Sequence, residues 1–88
     1  MVEQKVLVIN PSGLHLRPAA DLAKLASSCK SKVTMLYRNS VCNLKSSLNI
    51  MALAVKKGSE VTIVCEGETE QEDLLRVVGF IESGLGEI

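Results

Sequence analysis

The sequence predicts an α+β domain in which three helices cover one face of a four-stranded antiparallel sheet. Two observations carry this. The hydrophobic pattern alternates between a period of two and a period near 3.6, in the order strand, helix, strand, strand, helix, strand, helix. With 88 residues there is room for one hydrophobic core and no second catalytic domain. An antiparallel sheet can leave one face to solvent, and three amphipathic helices are enough to cover the other.

The stretch from Val2 to Ile9 reads as the first strand, because it ends in the apolar run Val6, Leu7, Val8, Ile9 and is stopped by the turn formers Asn10, Pro11, Ser12 and Gly13. From Leu16 onward, Ala19, Leu22, Ala23 and Ala26 recur at helical spacing. Pro18 fits there because it falls in the first turn, where its missing N–H has no intrahelical partner to lose. A helix therefore begins close to His15 and fades at Ser27 and Ser28. Val33, Met35 and Tyr37 alternate as a strand, and a short strand over Ser40 to Asn43 follows Arg38-Asn39 as the second arm of a hairpin. Leu48, Met51, Ala52 and Val55 predict a short helix that starts near Ser46 and gives out by Gly58. Val61, Ile63 and Cys65 predict a strand closed by Gly67. Leu74, Val77, Val78 and Ile81 form a helical stripe ahead of Gly84 and Gly86, with Glu70, Glu72 and Asp73 in a first turn where they oppose the positive end of the dipole.

Composition narrows the function. The chain is 47% hydrophobic and 23% charged, as a globular domain is and a disordered chain is not. Ten basic residues against ten acidic ones leave no surplus of positive charge to neutralise nucleic-acid phosphates, and one Tyr and one Phe make a poor platform for stacking bases. No apolar run approaches the length of a membrane span and no signal segment opens the chain, so the expected location is the cytoplasm. Cys29, Cys42 and Cys65 are odd in number, widely spaced and accompanied by a single His, a pattern that fits reduced, packing thiols better than a metal site or a disulfide framework. No cofactor or metal is expected.

The residues that carry chemistry are Gly13-Leu14-His15-Leu16-Arg17-Pro18-Ala19, which set the only His of the chain at a loop-to-helix junction. Backbone N–H groups in the first turn of a helix have no partner within it and favour an anion. Arg17, two residues on, can clamp phosphate oxygens through charge-assisted hydrogen bonds. A neutral imidazole there keeps one ring nitrogen as a nucleophile, the requirement for a reversible phosphoryl acceptor. The bland reading is a surface His that merely opens a helix. Ser46 likewise has two compatible uses, as an N-cap and as a phosphorylation site.

The Gly13–Ala19 segment closely resembles the active-site signature of the HPr family, in which Gly, an aliphatic residue, His, a variable residue, Arg, Pro and Ala follow in that order. Lys45-Ser46, with Met51, Leu53, Lys57 and Gly58 downstream, resembles the regulatory segment of many HPr proteins. The resemblance covers essentially the whole chain and implies an open-faced β-sandwich. It implies that His15, assisted by Arg17, takes a phosphoryl group from phosphorylated enzyme I and passes it to enzyme IIA domains in sugar uptake, with phosphoenolpyruvate as ultimate donor. Such a carrier is a covalent intermediate of a relay and not an independent enzyme. The family further implies regulation at Ser46 by an HPr kinase/phosphorylase, and docking of partners on an apolar patch that includes Leu48 and Met51. Ser47 and Asn49 depart from the residues common at those positions and fall beside that patch. The chain is expected to act as a monomer. Its alternatives are a regulatory HPr homologue in a nitrogen-related or incomplete phosphotransferase chain, and an interaction module whose His15 is never phosphorylated.

Overall fold

The computed structural model describes residues 1–87. Four strands, β1 (Val2–Leu7), β2 (Lys32–Tyr37), β3 (Ser40–Asn43) and β4 (Glu60–Glu66), alternate with three helices, α1 (Leu16–Ser27), α2 (Ser47–Ala52) and α3 (Glu70–Glu82). The sheet order is β1-β4-β2-β3, and every neighbouring pair is antiparallel. Val6 faces Val61, Val33 faces Cys65 and Met35 faces both Ile63 and Cys42, so the buried members of the four strands line up across the sheet.

Those side chains join Ala19, Leu22, Ala23 and Ala26 of α1, Ile50 of α2, and Leu74, Val77, Val78 and Ile81 of α3 in one core cluster. The alternate strand residues, among them Lys5, Leu7, Lys32, Leu36 and Val41, lie exposed or half-buried on the opposite face. That is the consequence of a period of two on a sheet covered from one side. The thiols of Cys29, Cys42 and Cys65 are free and buried in the core. Burial pushes Cys65 up to about 11 and raises the other two.

Two elements differ from the sequence expectation. The backbone of β1 leaves the ladder at Leu7, although Val8 still exchanges hydrogen bonds with the β4 side: its N–H donates to Ser59 O at 2.9 Å, and its O accepts from Gly58 N at 2.7 Å. Helix α2 ends at Ala52 rather than running toward Gly58. Its last turn closes through Leu53 N to Ile50 O and Ala54 N to Met51 O, and Ala54 takes a φ of 52°, which turns the chain away. Val55 is thereby released from the helix, so its carbonyl is free for another partner.

Glu70, Glu72 and Asp73 occupy the first turn of α3, as the sequence predicts. Asp73 is in addition buried. Its Oδ2 accepts from Ser31 Oγ at 2.5 Å, Thr69 Oγ1 at 2.7 Å and Ser31 N at 3.1 Å, which ties the start of α3 to the start of β2. The hydrogen bonds of Ser31 hold its carboxyl well below the usual range, at about 2. Glu70 is also engaged, accepting from Gly67 N and pairing with the N-terminal ammonium at 2.9 Å.

The end of α3 directs the chain back across the molecule. Gly84, at φ 93°, donates its N–H to Ile81 O, and Leu85 N–H donates to Phe80 O, the paired bonds of a Schellman motif. Leu85 is almost fully buried, so the motif is anchored in the core and Glu87 is carried toward the loop after β1.

Candidate functional site

The loop between β1 and α1 is built before any reactive group enters it. Asn10 is fully buried, and its Nδ2 donates to Gly13 O at 2.7 Å while Gly13 N–H donates back to Asn10 O at 3.1 Å. Gly13 adopts φ 63°, and a Cβ there would lie 2.5 Å from Val55 O, so glycine is required by both conformation and space. The carbonyl freed by the early end of α2 accepts from Leu14 N at 2.9 Å, and the Leu14 side chain is buried. The chain therefore reaches His15 from a fixed direction.

His15 is the N-cap of α1, in extended conformation with φ −80° and ψ −168°. Its carbonyl already accepts from Ala19 N at 2.8 Å, while its exposed imidazole caps no helix N–H. The side chain is thus left for solvent and partners. Pro18 is buried in the first turn and has no N–H, which leaves the amides of Leu16 and Arg17 as the free donors beside the imidazole. Arg17 is exposed, one residue into the helix, and lines a concavity of about 300 Å³ with Pro18, Asp21, Leu85, Gly86 and Glu87. A larger concavity of about 580 Å³ lies at the β3 edge, lined by Lys30, Lys32 and Lys45 among others, and includes neither His15 nor Arg17. His15 is exposed and lines neither of these concavities.

A scan against family models matches residues 2–83 to the PTS HPr component phosphorylation site family. The chain belongs to the HPr family. It is 42% identical over 67 residues to the phosphocarrier protein HPr of Mycoplasma capricolum subsp. capricolum, covering 76% of this chain and 75% of that protein. It is 39% identical over 82 residues to the HPr-like protein Crh of Bacillus subtilis, covering 93% and 96%. Among solved structures, HPr-C-His from Thermoanaerobacter tengcongensis superposes with a TM-score of 0.95 at 38% identity, covering 100% of this chain and 99% of that one. The four antiparallel strands and three helices are therefore the HPr fold, as the sequence led one to expect.

The other residues singled out from the sequence fall on α2. Ser46 is its N-cap, and its Oγ accepts from Asn49 N at 3.3 Å and from Asn49 Nδ2 at 3.1 Å. Asn49, a departure from the usual HPr residue, thus serves the cap. Leu48 is 77% exposed, whereas Met51 is half-buried and packs against the core. The core residue of this helix is Ile50, which the helical stripe drawn through Leu48, Met51 and Val55 passed over. Leu16, 64% exposed beside His15, is a further apolar surface residue that motif reading treated as merely variable. Its spacing to Ala19 and Ala23, three and seven residues on, is that of the buried face, so periodicity carries no signal of its exposure. Asn10, Ser12 and Glu87 were also missed: Ser12 Oγ donates to the Glu87 carboxylate at 2.7 and 2.8 Å, and Asn10 Nδ2 donates to it at 2.7 Å.

Proposed function

We propose that this HPr-family protein accepts a phosphoryl group on His15 from phosphorylated enzyme I and passes it to enzyme IIA domains in sugar uptake, with phosphoenolpyruvate as the ultimate donor. The observation that carries the reading is His15 itself: an exposed imidazole at a helix N-cap, engaged in no capping bond, with Arg17 in the same turn. In the transfer, an imidazole nitrogen attacks phosphorus, the N–P bond of the donor histidine breaks, and the electron pair returns to the donor ring. The incoming charge meets the unpaired amides of Leu16 and Arg17 and the guanidinium of Arg17. No metal or cofactor is required by this exchange.

Leu48 and Met51, extended by Leu16, are assigned to partner docking, because the exposed Leu48 and Leu16 and the half-buried Met51 give apolar surface on two helices that pack together, which can be covered as a partner delivers or removes phosphate. Ser46 is assigned to regulatory phosphorylation by an HPr kinase/phosphorylase, at the rim of that patch. The protein is proposed to work as a cytoplasmic monomer. No helix among the described residues is long and apolar enough to cross a membrane, and a 38% identical HPr of T. tengcongensis has been crystallised as a dimer. A regulatory HPr homologue is the second reading, favoured by the likeness to Crh. Incubation with phosphoenolpyruvate and enzyme I, then with an enzyme IIA domain, tests the relay by intact mass. Gain and subsequent loss of one phosphoryl group is expected of the sugar carrier; gain without loss to any sugar-specific IIA domain favours the regulatory homologue, and no gain overturns both.

A further inference from the structure

The carboxylate of Glu87 lies 75 residues from Ser12 in sequence, yet it accepts from both Asn10 and Ser12 in the loop that leads to His15. Its Oε1 accepts from Asn10 Nδ2 at 2.7 Å, Ser12 Oγ at 2.7 Å and Ser12 N at 3.4 Å, and its Oε2 accepts from Ser12 Oγ at 2.8 Å. Two other ties hold the same loop from inside, Leu14 N to Val55 O and the glycine turn at Gly13. Between these anchors only Pro11 and Ser12 are exposed, so the loop has one outer handle and Glu87 grips it.

The grip is delivered by a rigid route. The Schellman motif ending α3 and the buried Leu85 set the direction of the tail, and Glu87 N–H donates to Gly84 O at 2.9 Å, closing a further turn before the carboxylate. The tail also forms one wall of the concavity that Arg17 lines from α1. We propose that Glu87 is a positioning residue for phosphoryl transfer, its carboxylate clamping the Asn10–Gly13 loop so that His15 and Arg17 hold their relative placement when the phosphoryl group arrives.

The carboxylate is in its charged, accepting form under ordinary conditions. The hydrogen bonds from Asn10 and Ser12 hold it below the usual glutamate range, with the positive charge of Arg17 adding to the effect. Asn10 supplies the mechanical link. Its amide is fully buried, its Oδ1 has no partner, and its Nδ2 is shared between Gly13 O and Glu87. Losing Glu87 therefore takes one of only two acceptors from a side chain that cannot turn to water, and the change is felt at Gly13, two residues before His15.

The inference rests on the phosphocarrier reading and adds a residue to it. Glu87 touches neither the imidazole nor the docking residues Leu16 and Leu48, so its loss should slow the transfer step and spare binding. Glu87→Ala and Glu87→Gln are compared with wild type in transfer from phosphorylated enzyme I, together with hydrogen exchange at the Ser12 and Gly13 amides and thermal melting. Expected for Glu87→Ala are a kcat lower on the order of tenfold, an unchanged KM, faster exchange at both amides, and substantial recovery of kcat in Glu87→Gln, which keeps an acceptor oxygen. A kcat within twofold of wild type, a change confined to KM, or wild-type exchange at both amides overturns the proposal. If wild type takes no phosphate at all, the phosphocarrier reading fails and the role in transfer falls with it. Faster exchange in Glu87→Ala would then establish a structural clamp only.

Discussion

Replacing Asp73 with Asn keeps the shape of the side chain but removes the charge on which Ser31 N, Ser31 Oγ and Thr69 Oγ1 converge. The carboxyl is held at about 2 against an ordinary 3.8, a gap that corresponds to roughly 2 kcal/mol at neutral pH. A domain of this size has roughly 4 to 13 kcal/mol of stability in total, so the loss is substantial, and it should lower the Tm by about 8 to 16 °C. Asp73→Ala should cost about 1 to 3 kcal/mol more, because it strands the N–H of Ser31, a residue with no exposure to water. The sign of the pH dependence follows from the direction of the shift. A carboxyl depressed in the folded state stabilises fully above its unfolded value, and that contribution is lost as pH falls from about 4 toward 2. Urea denaturation of wild type and Asp73→Asn at several pH values between 7 and 2 measures this, and the shifts of Glu70 and Glu87 cancel because both proteins share them. The stability gap should be widest at pH 7 and close near pH 2. A gap below about 0.5 kcal/mol at pH 7, or one that does not shrink in acid, refutes the assignment of the α3 to β2 tie to a charged Asp73.

Gly13→Ala should destabilise by roughly 1 to 3 kcal/mol in a thermal melt, since the new Cβ meets Val55 O at 2.5 Å in a left-handed conformation. The folded fraction should accept phosphate more slowly. Arg17→Ala should keep the wild-type Tm but accept phosphate roughly 10- to 100-fold more slowly in stopped-flow labelling, the effect of losing one charge-assisted clamp worth about 1.5 to 3 kcal/mol. Ser46→Ala should lose about 0.5 to 2 kcal/mol in urea denaturation as Asn49 N–H loses its cap. After treatment with HPr kinase, mass spectrometry should find phosphate on wild type and on Ser47→Ala but not on Ser46→Ala.

Much of the fold was legible because local pattern and burial agree. The alternation of Val61, Ile63 and Cys65 and the helical stripe of Leu74, Val77, Val78 and Ile81 each reported the face that ends up in the core. Helix α2 was legible at its start, where Ser46 caps it, and not at its end. A six-residue helix offers too few turns for periodicity to separate Ile50 from Met51 or to exclude Val55. The strand order β1-β4-β2-β3 depends on contacts between distant segments that alternation alone does not specify.

The site divides in the same way. His15, Arg17 and Pro18 sit within one turn, so a local motif carries their spacing and the helix N-terminus supplies the physical reason for it. Asp73 and Glu87 were invisible as anything more than acidic residues. Their partners Ser31, Asn10 and Ser12 lie more than forty residues away, and only the packed chain brings them together. Val55 is of the same kind. Its carbonyl becomes an anchor for the loop before His15 only because α2 stops early.

The most direct test of the central claim is to locate the phosphoryl group. Wild type and His15→Ala are incubated with phosphoenolpyruvate and enzyme I, and each product is followed by intact mass and by phosphorus NMR before and after brief acid treatment. Wild type should gain a single acid-labile phosphoryl group with a phosphohistidine resonance, while His15→Ala, folded to the same thermal midpoint because the replaced side chain is exposed, should gain none. An acid-stable label on wild type, or the same label on His15→Ala, would contradict the assignment of this chain's chemistry to His15.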